Sequence, residues 1–207
     1  MKSSWLTGFA LLILFVSLIY IGSTFIPVVV IELKYRTMKL RQSVLGNTPV
    51  AQLFIPNFTF SKLSQAERAY AIEIPEVFIH EPVIFNVDPS SESEYSEALT
   101  QGIAHAAGSG LPGSEQLGYY FAHSSNPEFR NQYNAIFYLL HKLESGDPIS
   151  IWHSGEKYTY TVTHTEITDP DYTEFMRAEY DQETIVLQTC WPPGTTAKRL
   201  LVFAQKQ

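Results

Sequence analysis

The chain opens with one long apolar run and continues, beyond residue 70, as short apolar segments separated by turn residues. No charged residue lies between Lys2 and Glu32. At about 1.5 Å of rise per residue, a helix over residues 5–31 would exceed the ~30 Å thickness of the bilayer hydrocarbon. The run therefore predicts an N-terminal transmembrane helix within a membrane anchor of residues 1–33. A cleaved signal peptide is the alternative, although its apolar region is usually only about 7–15 residues long.

Residues 34–68 predict an extracytoplasmic stalk, because they are polar or mixed and contain Pro49 and Pro56. A short helix is possible within residues 61–70. The flank after the apolar run is basic, which by itself favours a cytoplasmic position, but long domains are translocated despite such charge. The basic residues of this flank are Lys34, Arg36, Lys39 and Arg41.

From residue 71 onward, short β-type runs separated by turn residues predict an all-β barrel or sandwich, in one domain of residues 69–207. Tyr158, Tyr160 and Val162 alternate with polar residues, as in a half-buried antiparallel strand. The nine candidate strands are residues 71–74, 77–80, 83–87, 102–106, 117–123, 149–153, 157–167, 184–190 and 199–204.

Two short helices are predicted between these strands. Ser91 and Glu94 have the spacing of a capping box that opens a helix through Leu99. The second helix is predicted by apolar residues at i, i+3, i+4 and i+7 spacing, and Gly146 follows its end. Its apolar residues are Ile136, Leu139, Leu140 and Leu143.

Charge and cysteine content exclude several classes of function. The 207 residues carry a formal net charge of −7, and no basic stripe is available to neutralise phosphates, so nucleic acid is not an expected partner. The single cysteine excludes an intramolecular disulfide framework and a multi-cysteine zinc site.

Candidate chemistry lies at three predicted strand ends. Cys190 ends the run 184–190, Arg199 opens the next run, and His123 ends the run 117–123. A thiol at a strand-to-loop transition beside a fixed positive charge is favoured as a thiolate. The remaining alternatives are His105 as the acid–base group, and Arg130 or Arg177 as the cation if the strand register differs.

These residues stand in a series of motifs that resembles the sortases, the cysteine transpeptidases that join surface proteins to the envelope of Gram-positive-type bacteria. The resemblance covers residues 71–207 and extends to the chain's C-terminus. Two departures are Val186, where the family usually has Thr, and Ala122, where it often has Gly. The layout is similar to class D/E or pilin-type members. The motifs are Ala71-Ile72-Glu73-Ile74-Pro75, Gly102-Ile103-Ala104-His105, Leu111-Pro112-Gly113, Tyr120-Phe121-Ala122-His123-Ser124, Gly146-Asp147-Pro148-Ile149, Val186-Leu187-Gln188-Thr189-Cys190 and Lys198-Arg199-Leu200-Leu201-Val202.

The resemblance implies a closed β-barrel of about eight strands with two short helices. It further implies that Cys190 attacks a Thr-Gly-type or Ala-Gly-type bond of a sorting signal and forms a thioacyl-enzyme. His123 would protonate the leaving amine, and Arg199 would stabilise the oxyanion or hold the peptide carbonyls. Thr189 and Trp191 are expected to contact the substrate.

The implied partners are sorting-signal-bearing surface proteins or pilins, together with an amine acceptor from a wall precursor or a pilin lysine. The implied location is the cell membrane, with a single span, lipid contact through that helix and the catalytic domain outside the cytoplasm. No cofactor is expected. Some sortases bind calcium in an acidic loop, for which Asp169, Asp171 and Glu174 are weak candidates here. A thiol peptidase that mainly hydrolyses and a tethered, non-catalytic binding module stay open as alternatives.

Overall fold

A computed structural model of the protein describes residues 3–45, 69–125 and 132–207. The chain divides into two compact units, residues 1–57 and 58–207. In the first unit, a single helix, α1 (Ser3–Leu45), extends past the predicted end of the anchor at residue 33. Among the described residues, we find no helix with an apolar stretch sufficient to cross a membrane. The predicted anchor and domain boundaries stay predictions. Residues 46–68 of the predicted stalk lie outside the described residues, and so does most of its possible helix at residues 61–70, whose last residue, Tyr70, begins a strand.

The second unit is the predicted barrel. Within its described residues, eight strands close in the order β1-β2-β3-β4-β7-β8-β6-β5. Parallel pairing joins β2 to β3 and β4 to β7, and the other neighbours are antiparallel. The strands are β1 (Tyr70–Ile74), β2 (Ile79–Val87), β3 (Ile103–Ala106), β4 (Gly118–Phe121), β5 (Pro148–His153), β6 (Glu156–Thr168), β7 (Thr184–Trp191) and β8 (Lys198–Lys206).

The second and third predicted strands, residues 77–80 and 83–87, differ from the structure. Residues 77–80 and 83–87 are not two separate strands, because residues 79–87 form the single strand β2. Val77 instead ends a 3₁₀ helix (Pro75–Val77), whose first position suits the fixed φ of Pro75. Phe78 then takes a left-handed conformation, with φ of 58°, and its amide donates back to the Pro75 carbonyl. The chain therefore turns sharply before β2 begins.

The predicted helices are present in altered form. Helix α2 (Glu92–Leu99) follows Ser91 as expected, but the Ser91 side chain makes no capping bond. Glu94 instead accepts a hydrogen bond from the Asp88 amide at 3.0 Å. The second predicted helix is a 3₁₀ helix, Tyr138–Lys142, and another 3₁₀ helix, Gln132–Ala135, precedes it. Its apolar face is buried as predicted, since Leu139 and Leu140 are both in the core.

The Leu111-Pro112-Gly113 segment is fixed to the barrel by one carboxylate. Glu183, whose side chain is only 8% exposed, accepts hydrogen bonds from the Gly113 amide at 2.7 Å and from the Tyr160 hydroxyl at 2.5 Å. Lys206 pairs with the second carboxylate oxygen at 2.7 Å. Gly113 has a φ of +88° and lies against the Tyr158 ring, so a side chain here would be both strained and crowded. The network joins the loop before β4 to the starts and ends of β6, β7 and β8.

Candidate active site

Three neighbouring strands bring the predicted catalytic residues to one edge of the barrel. In the parallel pair β4–β7, Phe121 is the register partner of Gln188, and His123 and Cys190 each follow two residues later. In the antiparallel pair β7–β8, Cys190 is the register partner of Arg199. Because side chains alternate along a strand, residues two apart on β4 and on β7 lie on the same face of the sheet.

The three side chains line one groove with a volume of about 530 Å³. Each of them is partly exposed, so reacting groups and solvent can reach them. Helix α2 contributes Tyr95 and Leu99 to one part of the lining, and the β6–β7 loop contributes Phe175 and Met176 to another. His123, which is more than sixty residues from Cys190 in sequence, therefore shares a single accessible cleft with Cys190 and Arg199.

The guanidinium of Arg199 is oriented by the backbone beside it. Its Nη1 donates to the Thr196 carbonyl at 3.2 Å and to the Lys198 carbonyl at 3.1 Å. On its other side, Arg199 is the register partner of Thr168 in β6. With one arm held by carbonyls, the planar fork still has further N–H donors for an anionic or carbonyl oxygen.

The position of His123 is fixed by the backbone around it. The Ala122 amide donates to the Gln188 carbonyl at 3.2 Å, which prolongs the β4–β7 pairing, and the Phe137 amide donates to the His123 carbonyl at 3.0 Å. Burial lowers the pKa of the His123 imidazole, because removal from water disfavours its charged form. The neutral form therefore dominates at neutral pH, and a protonated His123 must be stabilised during the reaction.

Thr189 and Trp191, the predicted substrate contacts, flank the cysteine differently. Thr189 lines the groove, but it is 3% exposed and its hydroxyl donates to the Ala122 carbonyl at 2.8 Å. This bond ties the cysteine strand to the histidine strand. Trp191 is not among the described residues that line the groove. Its ring lies 5.3 Å from that of His141.

The alternative acid–base group and cations lie elsewhere or are not described. His105 is 1% exposed, and its Nε2 lies 3.0 Å from both the Gly110 carbonyl and the Ser109 hydroxyl. It is not among the described residues that line the groove. Arg177 lines a separate cleft, and Arg130 lies outside the described residues.

The acidic loop between β6 and β7 was the candidate calcium site. In the part of the chain that the structure describes, no group of three or more His, Cys, Asp or Glu residues is placed to hold a metal ion. Asp169 accepts a hydrogen bond from Lys198 at 2.6 Å. Asp171 and Glu174 line the separate cleft that also contains Arg177.

Two groove residues, Tyr119 and Gln188, were not selected from the sequence. The alternation that places Phe121 on the groove face of β4 also places Tyr119 there. In the same way, Gln188 shares a face with Cys190. The signal was present in the sequence, but polar residues inside a β-type run are usually solvent-facing, and the groove that covers them forms only in the folded chain.

Comparisons with known proteins identify the barrel. The model of the Sortase domain family matches residues 72–207. Sortase D of Bacillus subtilis (strain 168) is 23% identical over 138 residues, which cover 65% of this chain and 62% of that protein. Among solved structures, sortase A from Corynebacterium diphtheriae matches with a TM-score of 0.57 and 28% identity, over 67% of this chain and 60% of that chain. The pilus-related sortase C of Group B Streptococcus matches with a TM-score of 0.58 and 26% identity, over 70% of each chain.

The match to sortase D and the match to sortase A each span less than two thirds of those proteins' own length. The family match itself covers well over half of this chain and contains the groove with Cys190, His123 and Arg199. The chain therefore belongs to the sortase domain family.

Proposed function

We propose that the protein is a cysteine transpeptidase that cleaves a Thr-Gly-type or Ala-Gly-type bond in a sorting signal and transfers the acyl part to an amine. The observation that carries this proposal is the shared groove of Cys190, His123 and Arg199, formed at the ends of three neighbouring strands. Family membership supports the same reaction class.

In the first half of the reaction, the Cys190 thiolate attacks the scissile carbonyl and a tetrahedral oxyanion forms. The guanidinium of Arg199, the register partner of Cys190, supplies the positive charge that stabilises this oxygen or a neighbouring peptide carbonyl. His123, as imidazolium, gives its proton to the departing amine while the C–N bond breaks. A C–S bond has then replaced the C–N bond, and the enzyme is acylated.

In the second half, an amine attacks the thioester carbonyl. The neutral His123 removes a proton from this amine, a new C–N bond forms, and Cys190 leaves as the thiolate. The enzyme returns to its starting protonation state. If water attacks in place of the amine, the same steps give hydrolysis, which is the reaction of the alternative thiol peptidase.

The proposed donors are sorting-signal-bearing surface proteins or pilins, and the proposed acceptor is an amine of a wall precursor or a pilin lysine. The similarity to the pilus-related sortase C of Group B Streptococcus supports pilins as one donor class. The similarity to sortase D of Bacillus subtilis supports the other proposed subclass, a class D/E sortase. Identification of the acceptor amine by mass spectrometry distinguishes wall attachment from pilus polymerisation.

We place the protein in the cell membrane, with the barrel outside the cytoplasm. The support for this location is the uncharged run between Lys2 and Glu32, together with the exposed apolar side chains along α1. Trp5, Phe9, Leu11 and Phe15 are each more than half exposed on this helix. A membrane would bury these side chains in hydrocarbon.

The decisive experiment incubates the full chain, in detergent or vesicles, with a library of Thr-Gly and Ala-Gly peptides and a triglycine acceptor. Mass spectrometry then separates ligated from hydrolysed products. Ligation that exceeds hydrolysis supports the transpeptidase, and hydrolysis alone supports the thiol peptidase. No product, together with a Cys190 that does not react with a methanethiosulfonate, supports a binding module and refutes the proposal.

A further inference from the structure

Two polar side chains of the groove, those of Tyr119 and Gln188, have no hydrogen-bond partner among the side chains of the described residues, and we call them the floor groups. Tyr119 and Gln188 both line the groove, and neither the Tyr119 hydroxyl nor the Gln188 amide forms a side-chain hydrogen bond within the described residues. Their neighbours differ in this respect. The Thr189 hydroxyl donates to the Ala122 carbonyl, and the Tyr120 hydroxyl lies 3.0 Å from that of Tyr70.

The two side chains lie on the same face of the sheet as the nucleophile. Gln188 precedes Cys190 by two residues, and its register partner Phe121 follows Tyr119 by two residues. Tyr119 and Gln188 are therefore diagonal neighbours on adjacent strands. Both stand further back along the strands than Cys190 and His123, which lie at or beyond the strand ends.

Packing fixes the direction of the Tyr119 ring. It is 6% exposed, its centroid lies 5.7 Å from that of Phe121, and the Phe175 ring meets it edge-on at 5.4 Å. Burial raises the pKa of Tyr119, and the charge of Arg199 opposes this rise. The hydroxyl is thus neutral, oriented before substrate binds, and within electrostatic reach of the catalytic cation.

Both groups can be satisfied by the donor peptide. In the proposed reaction, His123 protonates the leaving amine at the strand ends, so the acyl part of the peptide is the part that reaches back toward Gln188. Two residues of strand span about 6.6 Å. The residue that contributes the scissile carbonyl lies at Cys190. At this distance from Cys190, Gln188 would lie under the side chain of one of the two peptide residues just before it.

We propose that Gln188 and Tyr119 are specificity-determining residues that select a donor peptide with a hydrogen-bonding side chain at one of these two positions. The inference rests on the proposed function and names the substrate class of the same site. An amide side chain satisfies both floor groups, because it donates and accepts. An apolar side chain of the same size would cover them and leave both unpaired, which costs about tenfold to a hundredfold in kcat/KM.

The test compares matched donor peptides with the full chain. Four Thr-Gly peptides carry either Asn or the near-isosteric Leu at one of the two preceding positions, with triglycine as acceptor. Wild-type protein should prefer Asn over Leu by about tenfold to a hundredfold at one position. Gln188→Leu should reduce this preference to within about threefold, and Tyr119→Phe should reduce it partly.

Two matched variants serve as controls. Gln101→Leu changes an exposed glutamine after α2, and Tyr158→Phe removes a hydroxyl that donates to Glu156. Both should retain the wild-type preference. Unchanged thermal unfolding and unchanged labelling of Cys190 by a methanethiosulfonate would show that Gln188→Leu and Tyr119→Phe leave the fold and the nucleophile intact. If Gln188→Leu does not fold, Gln188→Met and the wild-type preference itself supply the test.

The outcomes separate the two proposals. Ligation of Leu and Asn peptides at equal rates by wild-type protein would overturn the specificity inference and leave the transpeptidase standing. Retention of the full Asn preference by both variants would overturn it as well. Absence of ligation and hydrolysis with every peptide would refute the proposed function, and the inference with it.

Discussion

Cys190 and Arg199 are direct register partners across the antiparallel pair β7–β8. Their side chains leave the same face of the sheet at adjacent positions, and both line the groove. The eight residues between them form the end of β7, a loop and the start of β8, and the loop's Thr196 carbonyl accepts a hydrogen bond from Arg199. The antiparallel turn thus holds the nucleophile and the cation together, and each can be tested by substitution.

Replacement of Cys190 by alanine should abolish both ligated and hydrolysed products. The reason is that no other described group in the groove can form the thioacyl intermediate. Mass spectrometry of products, with thermal unfolding as the check on folding, measures the effect. Product formation by Cys190→Ala at the wild-type rate would remove the cysteine from the mechanism.

Replacement of Arg199 by alanine should lower kcat/KM by about a hundredfold to a thousandfold, the usual cost of losing an oxyanion donor. Arg199→Lys keeps the charge but loses the planar fork, so we expect only partial recovery. Lys198→Ala is the matched control. It removes the neighbouring cation, which pairs with Asp169 rather than lining the groove. Equal losses for Lys198→Ala and Arg199→Ala would show that general positive charge suffices.

The rate should depend on pH with an acidic limb below pH 6.5. The reactive pair of Cys190 and His123 carries one proton in total. The rate therefore falls when the pair takes up a second proton, so that the thiol and the imidazolium are both protonated. Burial places the pKa of His123 below its ordinary value of 6.5, and the limb moves down with it. A profile of kcat/KM between pH 4.5 and 9.5 measures this limb. A profile with no acidic limb between pH 4.5 and 6.5 would contradict the assignment of the pair.

Glu183 should stabilise the fold above its titration range. Burial raises the pKa of Glu183, but hydrogen bonds from Lys206, Tyr160 and the Gly113 amide outweigh this and bring it below its ordinary value of 4.5. A carboxyl whose pKa is lower in the folded state stabilises that state above pH 4.5, and this contribution is lost as the pH falls through the folded pKa.

Glu183→Gln should therefore lower the free energy of unfolding by about 1–3 kcal/mol at pH 7 and reduce its decrease between pH 5 and 3. Denaturant titrations at each pH supply the measurement. Glu156→Gln is the control, since Glu156 is exposed and accepts from Tyr158. Equal stability of Glu183→Gln and wild type at both pH 7 and pH 3 would show that the network contributes nothing.

Calcium should leave turnover unchanged. Asp169, one of the candidate ligands, is paired with Lys198, and its neighbours form no described cluster that could hold the ion. Ligation rates in EDTA and in millimolar calcium should agree within about twofold, since oxygen ligands must converge on calcium to bind it. A large calcium-dependent increase that Asp169→Asn abolishes would contradict this prediction.

The amino-acid sequence determined the β-rich class of the domain, most strand positions and the three candidate catalytic residues. Apolar alternation and turn residues act over a few neighbouring positions, so they can be read locally, as in β6 and β7. The merged strand β2 and the 3₁₀ helix at Tyr138–Lys142 could not be read in this way. The backbone conformation of Phe78 and the packing of Leu139 and Leu140 depend on the rest of the barrel.

Tertiary structure alone decided which residues share the groove. The parallel pairing of β4 with β7 joins segments more than sixty residues apart, and it places Tyr119 and Gln188 on the same floor as Cys190. The antiparallel pairing of β6 with β8 likewise brings Asp169 within hydrogen-bond distance of Lys198. Local patterns fix which face a side chain takes within a strand. Which strands become neighbours depends on closing the barrel around one core, and that is a property of the whole chain.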